Sequence, residues 1–355
     1  MIILLALKTW RIKENGRAKL NNVESEKYLG DILCFEGKNK KNILFRRNKG
    51  IGIVKQIMTM LETTCFGPHV FEVSLLFRKS FLINSILTNS ESWYGIKNEE
   101  LELLEQVDEM LLRKILEVGK SCPKEMLYLE TGSWPIRFII MSRRLMFLHY
   151  VLNEDSKSLI YKFLQAQIND PVKNDWIHTV KEDLEELEIG LDFETIKELS
   201  KKSFKIFVDK QLEARALDYL NEIKAKHSKV NHIIHNNLRM QNYLEASKQF
   251  NTKLSKFIFH ARSRMLDVKE NYRNKYVTSK TLRNCPLNCL ELDTQEHLLW
   301  CDKITSEGII SHIYQPKYED LFEEDCEKQR KISLILMEKL ARRKKLIEKN
   351  EERPR

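Results

Sequence analysis

Residues 191 to 285 contain neither glycine nor proline. A run of that length has few natural turning points, and its composition favours helix. One unbroken helix would need a heptad pattern, which the run lacks, so it reads as several helices broken at asparagine clusters such as Asn236-Asn237. The shortage holds across the chain: glycine (11) and proline (7) together make up about 5% of 355 residues, where roughly 12% is usual. With 42% hydrophobic and 31% charged residues, a mainly α fold is expected over a turn-rich all-β one. The length suits one large or two ordinary domains, each able to bury a core.

Only the start of the chain reads as β. MIILLAL, TWRI and KYLGDILCF fall within residues 1 to 36, too few strands to close a sheet unaided. An apolar opening with no polar lead-in reads as a chain that begins inside a domain. From Asn39 the pattern is helical. Leu101, Leu104, Val107, Leu111 and Ile115 recur at helical spacing opposite Glu102, Glu105 and Glu109, which predicts an amphipathic helix. Pro123 and Pro135 sit where a first turn has no use for the missing N–H, and each reads as a helix start. RFIIMSRRLMFLHYVL is the most apolar of these helices and is expected at the centre of the core. The last 28 residues carry eleven basic and four acidic side chains and read as a basic helix or a disordered tail. MIILLAL has no basic residues ahead of it and no cleavage site behind it, so it does not read as a signal peptide. No apolar run approaches the roughly 18 to 20 residues of a membrane span. Seven dispersed cysteines fit a reducing compartment, and the expectation is an intracellular chain, nuclear or cytoplasmic, with no membrane partner.

The sharpest local signal is Cys285, Cys289, His297 and Cys301, spaced C-x3-C-x7-H-x3-C. Three thiolates and an imidazole complete a tetrahedral shell for structural zinc, and EHLLWC reads as a short helix presenting His297 and Cys301 one turn apart. Such a shell leaves no open position for water, so the ion would hold structure and not catalyse. The first pair usually has two intervening residues, and the extra one, such as Asn288, is a source of distortion. The competing reading is three incidental cysteines beside one histidine.

Basic charge is concentrated in three blocks. Residues 37 to 60 hold Lys38, Lys40, Lys41, Arg46, Arg47, Lys49 and Lys55 with no acid; residues 251 to 284 hold nine basic and two acidic side chains; the last 28 residues form the third. Each nets +7, so against the total of +9 the rest of the chain carries −12. One reading is contact with phosphate backbones, through Lys38, Lys40, Lys41, Arg46, Arg47 and Lys49 in the first block and Arg262, Arg264 and Lys275 in the second. The other is solvated helix faces. Phe257, Phe259, Tyr272 and Tyr276 interleave with the second block either as base-stacking platforms or as core.

Several chemistries find no support. No two aspartates are adjacent, so a polymerase aromatic-x-Asp-Asp turn is absent. No phosphate-binding glycine loop, nucleophile elbow or H-E-x-x-H helix occurs, and no small-molecule substrate is evident. Glu182, Asp183, Glu185 and Glu186 read as a solvated helix face, and His232 and His235 as surface residues.

KYLGDIL at 27 to 33, GIGIVKQI at 50 to 57, FRKSFLINSILTNSESWY at 77 to 94, LEQVDEMLLRKIL at 104 to 116, PKEMLYLETGSWPIRFIIMSRRLMFLHYVL at 123 to 152 and DTQEHLLWC at 293 to 301 follow one another in an order that resembles a known family. They look like the C-terminal half of reverse transcriptases of non-long-terminal-repeat retrotransposons, over most of residues 8 to 305. The resemblance implies that Tyr28, Leu29 and Gly30 belong to the last hairpin of the palm, near where the primer end is gripped. It implies a palm remnant over 1–36, a thumb-like helical bundle over 37–170, a helical connector over 171–250 and a basic segment with a zinc knuckle over 251–305. A basic helix or tail over 306–355 completes the expected organisation. The fingers, most of the palm and its catalytic aspartates are missing from this chain. It is therefore expected to bind RNA, DNA or a hybrid duplex without polymerising, as a truncated copy of an RNA-directed DNA polymerase. The alternative is an α-helical scaffold that contacts other proteins.

Overall fold

The structure is a computed structural model, and it describes residues 25–28, 31–34, 39–64, 66–170, 172–173, 175–245, 250–272, 283–304 and 317–351. The fold is mainly α. Strands β1 (Ser25–Tyr28) and β2 (Asp31–Cys34) form an antiparallel hairpin in which Tyr28 pairs with Asp31. MIILLAL and TWRI, with Leu29, Gly30 and Lys38, lie outside the described residues.

The helices are α1 (Lys40–Thr63), α2 (Val70–Phe77), a π-helical turn (Arg78–Ile83) running into α3 (Asn84–Ile86), α4 (Asn98–Leu116), α5 (Lys124–Thr131) and α6 (Ile136–Leu152). They continue as α7 (Leu159–Asn169), α8 (Trp176–Glu186), α9 (Phe193–Glu198), α10 (Lys201–Ala225), α11 (Thr252–Arg262), α12 (Gln295–Trp300) and α13 (Cys326–Glu351). Pro123 and Pro135 do precede α5 and α6 as their cap residues. The glycine-free run is α9, α10 and α11, with an irregular stretch between α10 and α11 that contains Asn236-Asn237. The basic C-terminal segment is helical through Glu351. Among the described residues no helix is long and apolar enough to cross a membrane.

Contacts divide the chain into two units that interleave along the sequence. The first comprises residues up to Thr63, Leu75–Leu112 and Trp134–Tyr219. Its core joins Ile43, Val54 and Ile57 of α1 to Leu104, Leu111 and Leu112 of α4 and to Phe138, Leu145 and Leu148 of α6, all almost fully buried. Gly50 lets helices approach: a Cβ there would lie 2.8 Å from Val107 and 2.9 Å from Ile86. Two buried forks tie this unit. Arg78 in the π-turn donates twice to Asp108, both at 2.6 Å, and Arg144 donates to Asp183 at 2.6 and 2.7 Å. Planar guanidinium against carboxylate fixes helix register as well as charge. Asp183 is therefore not part of a solvated face: its carboxylate is buried against Arg144, although Glu182 and Glu185 remain exposed.

The second unit comprises Thr64–Ser74, Arg113–Ser133 and the chain from Leu220 on. Its centre is Glu130 of α5, completely buried. Tyr243 donates to it at 2.6 Å, Arg262 at 2.9 and 3.1 Å, and His235 Nε2 lies at 2.9 Å. Lys224 stands 3.1 Å from His235 Nδ1, and an ammonium can only donate, so Nε2 carries the proton given to Glu130. Burial alone would raise the Glu130 carboxyl, but Arg262 and His235 outweigh it and hold it at about 2. The same burial lifts the Tyr243 hydroxyl well above its usual range and lowers the Lys224 amine to about 8. His235 is thus a core residue and not a surface one. Gly132 ends α5 at φ +63, and a Cβ there would meet the Met240 backbone nitrogen at 2.3 Å.

Candidate metal centre and basic surfaces

Cys285 and Cys289 sit on a tight hairpin. The Cys285 amide donates to the Glu291 carbonyl at 2.8 Å, Asn284 bridges Leu292, and the Asp293 amide donates to the Arg283 carbonyl at 2.9 Å. The turn that carries the extra residue of C-x3-C uses two left-handed residues, Asn288 at φ +61, which asparagine tolerates, and Leu290 at φ +64. Thr294 caps α12 by accepting from the His297 amide at 2.9 Å, so His297 stands in the first turn and Cys301 follows the last. The helix expected over EHLLWC is present.

The four ligand atoms all lie within 4.8 Å of one another. Cys285 and Cys301 sulfurs are 3.9 Å apart, Cys289 and Cys301 sulfurs 3.8 Å, and Cys289 sulfur is 3.0 Å from His297 Nε2. Ligands 2.3 Å from a tetrahedral zinc have sulfurs about 3.8 Å apart, so both sulfur pairs already span tetrahedral edges. The sulfur–nitrogen edge would open by about 0.5 Å to admit an ion. This group can hold a metal ion. Burial pushes the Cys285 thiol up to about 12 and raises Cys301 as well.

The surroundings are supplied by distant segments. Leu298 and Leu299 of α12 pack in one core with Cys285, Cys301 and, from α13, Ile332 and Leu336. Lys339 of α13 donates to the Leu299 carbonyl. Burial lowers its amine, while Cys301 and Asp302 pull it back up. Arg343 donates to Asp293 at 2.6 Å, and Asp293 also accepts from the Lys269 amide at 2.8 Å. Sequence reasoning found the four ligands and missed Lys339, Arg343 and Asp293. Lys339 and Arg343 sit among Glu338, Arg342, Lys344 and Lys345, and no local motif distinguishes them from that solvated charge.

The basic residues divide sharply. Lys40, Lys41 and Lys49 are exposed on α1, Lys55 joins them, and Arg47 is half-buried. Arg46 is not on this surface: it is 1% exposed and donates to the Ser85 and Thr88 carbonyls at 2.9 and 3.2 Å. Arg262 is likewise 2% exposed and committed to Glu130, and Arg264 is paired with Glu296 and lies over the Tyr318 ring. The expectation that Arg46 and Arg262 line a groove therefore fails, because each satisfies buried acceptors. Phe259 is fully buried and so is not a stacking platform, while Phe257 is half-buried and packs against the core. Lys275 and Tyr276 lie outside the described residues, as does the Tyr272 side chain.

No protein-family model, curated protein or solved structure matches this chain.

Proposed function

We propose that this chain binds nucleic acid through the phosphate backbone and corresponds to the thumb and zinc-knuckle part of a non-long-terminal-repeat reverse transcriptase. The observation that carries the reading is the outer side of α1. Lys40, Lys41, Lys49 and Lys55 lie exposed there, with no carboxylate in the helix until Glu62, while Ile43, Val54 and Ile57 are buried. A helix face of one sign, set over a rigid core, suits a duplex read by its charge and not by its bases. The order of sequence blocks resembling that family supports the assignment. The chain acts inside the cell, in nucleus or cytoplasm.

The metal in this reading is zinc. A three-thiolate, one-imidazole set with two sulfur pairs at tetrahedral separations suits zinc, and the closed shell makes the ion structural. Freshly purified, reduced protein holds one zinc per chain, lost on replacing Cys285 with serine and His297 with alanine.

A salt series on duplex affinity tests the binding. About six neutralised phosphates give a log–log slope near −5 on B-DNA, and an affinity indifferent to salt overturns the reading. Leu76 and Phe81, 58% and 46% exposed, favour the second reading of a protein-binding scaffold. Self-association without nucleic-acid affinity would be its signature.

A further inference from the structure

The C-terminal helix α13 turns two of its cations inward, where it packs on the cysteine and histidine cluster. Lys339 donates to the Leu299 carbonyl, two residues before Cys301. Arg343, one turn on, donates to the Asp267 carbonyl and to the Asp293 carboxylate. Asp293 closes the base of the hairpin that carries Cys285 and Cys289, and it directly precedes Thr294, the cap of the helix that carries His297. Ile332 and Leu336 of α13 are fully buried in the core that contains Cys285 and Cys301.

Charge makes this arrangement consequential. A divalent ion with three thiolates and a neutral imidazole has one net negative charge, and in a partly buried site that charge needs an offset. Groups just outside a metal shell that orient the ligands or balance their charge typically set 10- to 100-fold in affinity.

We propose that α13 is an integral part of the metal centre, with Lys339 offsetting the charge of the thiolate shell and Arg343 holding the ligand hairpin in register through Asp293. Both are positioning residues and neither is a ligand. The proposal rests on the reading of the cluster as a zinc site. Reciprocity of linked equilibria adds a consequence: the ion stabilises the docking of α13 by as much as α13 tightens the ion.

The test is zinc affinity of the full chain, measured by competition with a chromophoric chelator, for wild type, Lys339→Met, Lys339→Arg and Lys210→Met. Met keeps the aliphatic stem and removes the charge; Arg keeps the charge; Lys210 is an exposed control on α10. Lys339→Met weakens zinc binding about 10- to 100-fold, Lys339→Arg stays near wild type, and Lys210→Met changes nothing. Equal affinity of wild type and Lys339→Met overturns the proposal and leaves the zinc reading standing. Loss of affinity in Lys339→Arg equal to that in Lys339→Met also overturns it, because packing and not charge would then be at work. A wild-type chain that takes up no zinc overturns the zinc reading itself, and this proposal with it. Hydrogen exchange of the wild-type chain gives a readout independent of any variant. Chelation speeds exchange of amides in residues 332–349, and protection unchanged by chelation overturns the coupling.

Discussion

Both units bury ionised side chains in a helical core, but they do so by different means. In the first, Arg78 forks onto Asp108 and also donates to the Trp134 carbonyl, and Arg144 forks onto Asp183 and also donates to the Trp93 carbonyl, so each carboxylate serves one guanidinium. In the second, Glu130 gathers Arg262, His235 and Tyr243, so that α5, α11 and the irregular stretch between α10 and α11 meet at one carboxylate, with Lys224 of α10 behind His235. Where long amphipathic helices already agree on a packing, a single fork suffices to set their register. Where short helices are joined by irregular backbone, apolar contact specifies too little, and a polar hub or a set of metal ligands supplies the missing constraints. The hub is correspondingly the more vulnerable device, since each of its members depends on the rest.

The largest expected effect separates the two directly. Glu130→Gln keeps the shape of the side chain but leaves Arg262 buried without its counter-charge, and it is expected to cost about 3–5 kcal/mol in chemical denaturation. Asp108→Asn breaks one couple and is expected near the lower end of that range, because no further donor is stranded with Arg78. Equal losses would mean that the hub behaves as a simple pair.

Acid should divide the units next. The Glu130 carboxyl is depressed from 4.5 to about 2 in the folded chain, so its contribution is present above about 4.5 and is lost as pH falls toward 2. The loss amounts to about 3 kcal/mol. Burial moves Asp183 the other way, upward despite Arg144, so the folded state takes that proton more readily than the unfolded chain. This carboxyl adds nothing to acid lability. Hydrogen exchange between pH 5 and pH 3 should therefore show protection falling first around α5 and α11, and uniform loss in both units would contradict the contrast.

The smallest effect sharpens the comparison by equality. Thr294 caps α12 and Asp192 caps α9, each accepting from the amide three residues on. Thr294→Ala and Asp192→Ala are each expected to cost about 1 kcal/mol, measured by thermal unfolding. Only the former should also weaken zinc uptake, because only that cap orients a ligand.

Much of the architecture was legible in the residues. Helical spacing from Leu101 to Ile115, prolines before α5 and α6, and the scarcity of glycine each act over a few turns, where local sterics and periodicity decide. The ligand set was legible for the same reason: Cys285, Cys289, His297 and Cys301 lie within 17 residues, and a cap and two turns bring them together. The roles of Arg46, Asp183, His235 and Arg262 were not. Each is a charged or polar residue whose partner is 39 to 132 positions away or further along another helix, and nothing in a charge count marks it as buried.

By itself, then, the sequence determined a mainly helical chain, the proline-marked starts of α5 and α6, and a compact cysteine and histidine cluster, all governed by short-range rules. Tertiary structure alone decided which arginines face solvent, that one carboxylate would gather a hub, and that α13 would lie against the ligand hairpin. Those outcomes depend on which distant surfaces meet. Desolvation then forces any charge caught between them to find a partner there.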